Sequence, residues 1–470
     1  MYSRCLVLTI VLAIASVGQT PAVSADHPNV LLIAIDDLND WVGCLGHMQA
    51  KTPSIDQLAT RGTLFTNAHC QAPICNPSRT SVMTGLRPST TGIYVNSPWF
   101  RRTARNKDRV TLSQYFGQQG YKTLTAGKIY HGSRQDPRSF EIVGPIPGQM
   151  SKLDKRLRTD LPTKSRLWDF GAQQYPEEKF NDHLVASWAV EQLETKHDKP
   201  FFMAVGFYRP HVPFYAPQRF FDRFPLANVQ LPTTKDDDRD DLPAAALKLT
   251  FNPLPPSQEW FEESGSWRAA VQAYYSSVSF TDTQVGRVIE ALDKSEYAKN
   301  TVIVLWSDHG FHLGEKQRWA KQSLWERSTH VPLIVSYPGG NRNQRCSRPV
   351  ELLSIYPTLV SLAGLPPADF VDGRSILPLL EEPTTQWPYP AITTYRQNNH
   401  TARSERYRYI RYADGSEELY DHSVDSDEWN NIAADAGSAT IKKEHAKWLP
   451  KVNVLEAKSQ QQRAKRKRGN

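Results

Sequence analysis

Cysteine is scarce in this chain, five residues in 470, and one of these, Cys5, lies in a leader-like segment. Cys44, Cys70, Cys75 and Cys346 are left, too few for a disulfide-stapled scaffold. If one of the four has a separate task, at most one disulfide forms among Cys44, Cys70 and Cys346. No stretch approaches about twenty consecutive apolar residues, so no membrane span is expected, and no internal repeat is visible. Charge of one sign is also missing from the body of the chain. The formal +7 rests on six Lys or Arg between Lys458 and Asn470, where no acid offsets them, and on Arg4. The rest is formally neutral, so a pI near 9.0 reports a tail and not a nucleic-acid-binding face. Nucleic acid is not expected as a partner.

What is present, 39% hydrophobic and 22% charged residues, suffices for a large core. Residues 1–25 carry Arg4, an apolar run from Leu6 to Val17, and Val23-Ser24-Ala25 before Asp26. This is the pattern of a secretory signal with its cleavage site, and it predicts an exported protein, periplasmic or extracellular, or lysosomal in a eukaryotic host. The basic tail over 458–470 is expected to be disordered.

Val30 to Ile35 is a β-branched and Leu run, the mark of a strand buried on both faces, and Asp36 and Asp37 follow it directly. Thr52 and Pro53 read as an N-cap with proline in the first turn, opening a helix that Gly62 stops. Phe201 to Gly206 and Thr301 to Trp306 repeat the buried-strand pattern, ending in Tyr208-Arg209-Pro210-His211 and Ser307-Asp308-His309-Gly310. Helical periodicity runs from Ala269 to Leu292, and a further helix from Glu351 to Ala363. Strands alternating with helices predict an α/β fold whose ligands bind beyond the carboxyl ends of the strands. Lys235 to Asp241, five Asp among seven residues, reads as a solvated loop. Past roughly 385, Ala391 to Tyr395 and Tyr407 to Tyr412 read as strands with a hairpin signal at Asp414-Gly415, so a small antiparallel subdomain is expected over 386–457, following a main domain over 26–385.

Asp36 and Asp37 alone read as loop formers and helix caps. Asp308 and His309 after a second strand turn them into a hard, mostly oxygen site suited to Ca²⁺ or Mg²⁺ in a catalytic or a structural role. Cys75-Asn76-Pro77-Ser78-Arg79 predicts a cysteine at the N-terminus of a short helix ending near Gly85. A thiolate there is a poor ligand for a hard cation unless oxygen replaces the sulfur.

Cys75-x-Pro77-x-Arg79 resembles the maturation motif of type I sulfatases, in which this cysteine is oxidised to formylglycine (3-oxoalanine). Asp36-Asp37 before it and Asp308-His309 after it stand in that family's order. Gly127-Lys128-Ile129-Tyr130-His131 has the K-x-x-H spacing of the iduronate-2-sulfatase-like branch, and Arg209-Pro210-His211-Val212-Pro213-Phe214, Trp319-Ala320-Lys321 with Thr329 to Leu333, and Leu419 to Asn431 are similar to its further segments. The resemblance implies an alkaline-phosphatase-like sandwich around a large mixed, mostly parallel sheet, with a small α+β C-terminal subdomain. It also implies Ca²⁺, or less readily Mg²⁺, held by Asp36, Asp37, Asp308, His309 and the oxygen derived from Cys75, and a formylglycine-generating enzyme as maturation partner. Arg79, Lys128 and Lys321 would hold the sulfate; His211, or Lys321 beside it, would protonate the leaving oxygen, and His131 would take the proton that restores the aldehyde.

The substrate this implies is a sulfated, uronic-acid-containing saccharide. Phe311, His312 and Gln322 are expected to face it. Arg101, Arg102, Arg105, Lys107 and Arg109 form a basic stretch that either binds the polyanion or is a solvated loop. Twelve Trp suit sugar stacking, though most should serve the core. Two other readings are a phosphodiesterase or phosphonate monoester hydrolase with a similar sheet and metal site, and a non-catalytic binder of sulfated glycans in which Cys75 stays a thiol.

Overall fold

Eight consecutive buried residues, Asn29–Asp36, form strand β1 at the middle of the sheet, as an uninterrupted apolar run requires. The computed structural model describes residues 27–458; the expected leader over 1–25 and the tail beyond Lys458 lie outside the described residues. Seven more strands join β1: β2 (Thr63–Phe65), β3 (Lys122–Gly127), β4 (Ile142–Val143), β5 (Phe201–Pro210), β6 (Thr301–Ser307), β7 (Leu333–Ser336) and β8 (Gln344–Cys346). Their order is β8-β2-β7-β6-β1-β5-β3-β4. Only β7 runs antiparallel to its neighbours, so the sheet is mixed and mostly parallel, as expected.

Alternation along β1 divides the core in two. Leu31, Ile33 and Ile35 pack with helices α1 (Pro53–Thr60), α4 (Asn181–Glu194) and the 28-residue α5 (Trp267–Lys294). Val30, Leu32 and Ala34 face the other way, onto α2 (Cys75–Thr84), α3 (Leu112–Gln118) and α6 (Ile355–Leu362). A sheet with helices on both faces is the sandwich that parallel strands demand.

Beyond residue 390 lies a separate antiparallel sheet, β9 (Ala391–Thr394), β10 (His400–Arg403), β11 (Tyr407–Arg411) and β12 (Glu417–Asp421), followed by helix α7 (Ser438–Ala446). Strand β10 escaped the sequence reading because it contains one small apolar residue among His, Thr and Arg. The expected hairpin is present, with Gly415 at φ 90° in its turn.

Other expectations need correcting. Thr52 makes no side-chain cap; the N–H groups of Ser54 and Ile55 are held by Asp282 of α5 at 3.2 and 2.8 Å. The acidic run 235–241 is not wholly solvated, because Asp238 is buried in an ion pair with Lys316 at 2.8 Å. Cys44, Cys70 and Cys346 are all free, within the expected limit of at most one disulfide. Phe311 is part of the core, and His312 is buried against Ser323 at 2.8 Å, so neither faces a substrate. Arg101 turns inward to Asp136, 2.5 Å away, and to the carbonyls of Lys107 and Arg109, which removes it from any polyanion surface. No helix among the described residues is long and apolar enough to cross a membrane.

Candidate active site

Three chain segments meet at the carboxyl ends of β1 and β6. At the end of β1 the pairing with β5 slips, Ile35 opposing Phe207 but Asp36 opposing Pro210, and Asp37 takes φ 62°, a left-handed conformation that aspartate tolerates. Beyond β6 come Asp308 and His309. The third segment is α2, which starts at Cys75 and is stopped by Gly85 at φ 68°.

Cys75 Sγ is the centre of the cluster. His309 Nε2 and Lys321 Nζ both stand 3.2 Å from it, Lys128 Nζ 3.7 Å and Asp37 Oδ1 3.9 Å. Lys321 also donates to Asp37 Oδ1 at 2.6 Å, and Lys128 to Asp36 Oδ2. Asp36, Asp37, Cys75 and His309 place ligand-type atoms within 4.8 Å of one another. Asp308 sits just behind this group, 3.6 Å from His309 Nε2. Its carboxylate is taken up by Arg79 Nε at 2.7 Å and the Asp37 N–H at 3.1 Å.

Arg79 is fully buried and faces the protein, not the cavity. Its guanidinium donates to Asp308, to Asp36 Oδ1 at 3.2 Å and to the carbonyls of Lys128 and Ile129. Four of its five N–H groups are thus spent on the protein, and it holds the groups around the sulfur. His211 Nε2 lies 3.9 Å from Asp37 Oδ2, while its Nδ1 donates to the Val212 carbonyl at 2.6 Å. His131 comes within reach of the Cys75 sulfur, and its Nδ1 is buried without a hydrogen-bond partner. The residues predicted as catalytic or metal-binding thus converge, while Phe311 and His312 stay buried elsewhere.

Burial would push the Cys75 thiol up, but Lys128, Lys321 and His309 hold it well below its usual range. Burial and the Cys75 sulfur likewise push Asp36 up, and Lys128, His211 and Arg79 carry it far below. Asp308 goes the other way: burial raises it to about 7 despite Arg79. Burial would lower His309, yet Asp308 and the neighbouring anions lift it to about 9. Cys75, Asp36, Asp37, Arg79, Asp308 and His309 are all sealed from solvent, whereas Lys321 and His131 are part-exposed and His211 is 7% exposed, so approach is along these three side chains.

A divalent cation fits this set. The carboxylates are hard donors, and Asp37 Oδ2 is buried without a hydrogen-bond partner. The sulfur is the one donor that does not suit.

The sequence reading missed the supports of this site. Tyr274 of α5 donates to the Asp37 carbonyl at 2.8 Å and accepts from the Asn39 N–H at 3.0 Å. Ser307 Oγ accepts from the Leu38 N–H at 3.1 Å, Ser78 Oγ donates to the Asp308 carbonyl at 2.5 Å, and Asp182 accepts from the N–H groups of Tyr208 and Arg209 at 2.7 and 2.8 Å. Tyr274 counted toward the apolar period of its helix, and nothing local marks its hydroxyl as a support.

The sulfatase family model matches residues 28–365, and that of the N-sulphoglucosamine sulphohydrolase C-terminal region matches residues 314–454. A sulfatase of Formosa agariphila is 42% identical over 450 residues, covering 91% of this chain and 89% of its own. The iduronate 2-sulfatase of Homo sapiens is 34% identical over 394 residues, covering 73% of this chain and 70% of its own. Among solved structures, the phosphonate monoester hydrolase of Agrobacterium radiobacter aligns with a TM-score of 0.76 at 24% identity, over 90% of this chain and 94% of that one, which speaks for the fold.

Proposed function

The chain belongs to the sulfatase family, and from that premise we propose an exported sulfuric ester hydrolase that removes sulfate from a sulfated, uronic-acid-containing saccharide. The iduronate-2-sulfatase-like segments Lys128 to His131 and Arg209 to Phe214 support that substrate class, together with the 34% identity to the human enzyme. A catalytic part over 26–385 and a C-terminal subdomain over 386–457 go with this reading. The observation that carries it is a cysteine at the first turn of α2 with His309 and Lys321 both 3.2 Å from its sulfur. A thiolate is a poor donor to the hard cation that the neighbouring carboxylates suit, and it makes sense at that point as the precursor of formylglycine.

Asp36, Asp37, Asp308 and His309 would hold the cation, Ca²⁺ or less readily Mg²⁺, since the oxygen donors are carboxylates. Together, a formylglycine hydrate at position 75 and a divalent cation supply an oxygen nucleophile and a Lewis acid. The chain's own residues do the rest. Lys128 and Lys321, 3.7 and 3.2 Å from the Cys75 sulfur, bind the sulfate oxygens and stabilise charge growing there. Arg79 acts as a positioning residue for Asp36, Asp308 and the Lys128 backbone. With Nδ1 committed to the Val212 carbonyl, His211 presents Nε2 to the site and delivers a proton to the departing sugar oxygen. His131, its Nδ1 free, accepts the proton released when sulfate leaves.

The first test is the mass of the tryptic peptide spanning 62–79 from a host that makes formylglycine. We expect an oxygen in place of the Cys75 sulfur, located by fragmentation because Cys70 lies in the same peptide. An alkylatable thiol at Cys75 from that host overturns the reading and returns the chain to a glycan binder. The phosphonate monoester hydrolase reading draws on the fold likeness above; turnover of 4-nitrophenyl phenylphosphonate in preference to 4-nitrophenyl sulfate would restore it.

A further inference from the structure

At the far end of α2 from Cys75, about 13–14 Å along the helix, lies a cleft that the catalytic reading does not use. Residues 87–90, 349–354, 372–374, 387–392 and 448–452 line it, so it forms at the seam where the C-terminal segment packs on the catalytic part. Its volume, ≈ 370 Å³, is that of a small-ligand site.

Three aromatic rings from two distant segments stand in a row there. Trp387 and Tyr389 meet edge to face at 5.1 Å, and Tyr389 meets Trp448 at 5.6 Å. Trp448 is 41% exposed, and the other eleven Trp are buried or half-buried. The cleft has three cations against two carboxylates. Arg87 is neutralised by Glu351, at 2.7 and 2.8 Å, and Asp372 accepts from the Arg87 N–H and Thr90 Oγ1. Arg374 lies flat against Tyr389, 4.1 Å from its centroid, and among the described residues neither Arg374 nor Lys451 makes an ion pair. The exposed Trp448 indole beside unpaired cations matches a saccharide ring bearing anionic substituents: the ring stacks on the indole, and the sulfate or carboxylate meets the guanidinium and ammonium.

We propose that this cleft is a second, non-catalytic site for an anionic saccharide chain, stacking on Trp448 and charge-paired with Arg374 and Lys451. It rests on the sulfated-saccharide reading above and extends it, since a polymer held here is tethered to the enzyme that acts on it.

The test titrates the full-length Cys75→Ser protein with a heparin hexasaccharide and follows tryptophan fluorescence. We expect a quench that Trp448→Phe removes, and affinity about tenfold weaker in Arg374→Ala/Lys451→Ala. A hexasaccharide held elsewhere, at the catalytic opening or on the basic segment 458–470, leaves the quench intact in Trp448→Phe, and that result overturns the proposal. So does the absence of any titration. On the formylglycine-bearing enzyme the same cleft variants should turn over 4-nitrophenyl sulfate at the wild-type rate, because that ester reaches only the catalytic site. Loss of that turnover in the wild type would instead sink the sulfatase reading, so the two failures are separable.

Discussion

Arg79 uses its guanidinium to hold Asp308, Asp36 and two carbonyls in a site sealed from water. Lysine keeps the charge but cannot span those acceptors. Arg79→Lys is therefore expected to leave buried acceptors unmet at a cost of about 1–3 kcal/mol each, read as a lower urea midpoint, and to displace Lys128 as well. His211 calls for a different measurement. If it donates a proton to the leaving oxygen, His211→Ala should lower kcat on a sugar sulfate by roughly 10²–10⁴ and barely affect 4-nitrophenyl sulfate, whose leaving group needs no acid. Equal losses on both substrates would assign His211 to binding. At this scale the linear motif around Cys75 was legible because its five residues share one helical turn and a half. The inward turn of Arg79 was not, since it depends on Asp308, 229 residues away.

Lys128 stands where it does because two strands approach unusually closely. The Lys128 N–H donates to the Gly206 carbonyl at 2.8 Å, and a Cβ on Gly206 would lie 2.1 Å from the Lys128 carbonyl. Gly206→Ala must push the end of β3 away from β5, so we expect a fall in thermal midpoint together with lost sulfatase turnover. Helix α5 shows the same kind of control. Its Asp282 holds the first turn of α1, and burial raises that carboxyl to about 6 against the backbone bonds it accepts. Between about pH 4 and 6 the folded protein then keeps a proton that the unfolded chain has released. Stability should fall as pH rises through that window, by roughly 3 kcal/mol from this group, and level off above it. Asp282→Asn should flatten that part of the pH-stability curve, and an unchanged slope would refute the assignment.

The C-terminal sheet is fastened to the catalytic part by buried charge. Arg408 of β11 pairs with Glu326 and Glu428 and donates to the Leu324 carbonyl at 3.0 Å; Glu428 in turn holds the Glu326 N–H at 2.8 Å. Thr393 and Thr394 of β9 hydrogen-bond the carbonyls of Cys70 and Gln71, a few residues before Cys75. Calorimetry should accordingly show one cooperative transition, and a chain cut at 385 should not fold. A cation at the proposed site would tie β1, β6 and α2 together in the same way. Adding Ca²⁺ at about 100 times its dissociation constant should stabilise the protein by roughly 2.7 kcal/mol, and a chelator should reverse this, measured by thermal unfolding whether or not Cys75 has been converted.

From its sequence alone this protein has its class of fold and the kind of chemistry at its centre. Apolar runs such as Val30 to Ile35 can only be buried strands, and the acids, the cysteine motif and the K-x-x-H segment are local patterns. Tertiary structure decided what depends on distant residues meeting. It set the strand order, the capping of α1 by Asp282 in place of Thr52, the burial of Arg101, Phe311 and His312 away from any substrate, and the role of Tyr274 under Asp37. It also built the cleft around Trp448. Neighbours in the chain share an element, and its period can be read from them; residues hundreds of positions apart meet only once the two faces of the sheet are covered, and only then is it settled which charges are paired and which remain free.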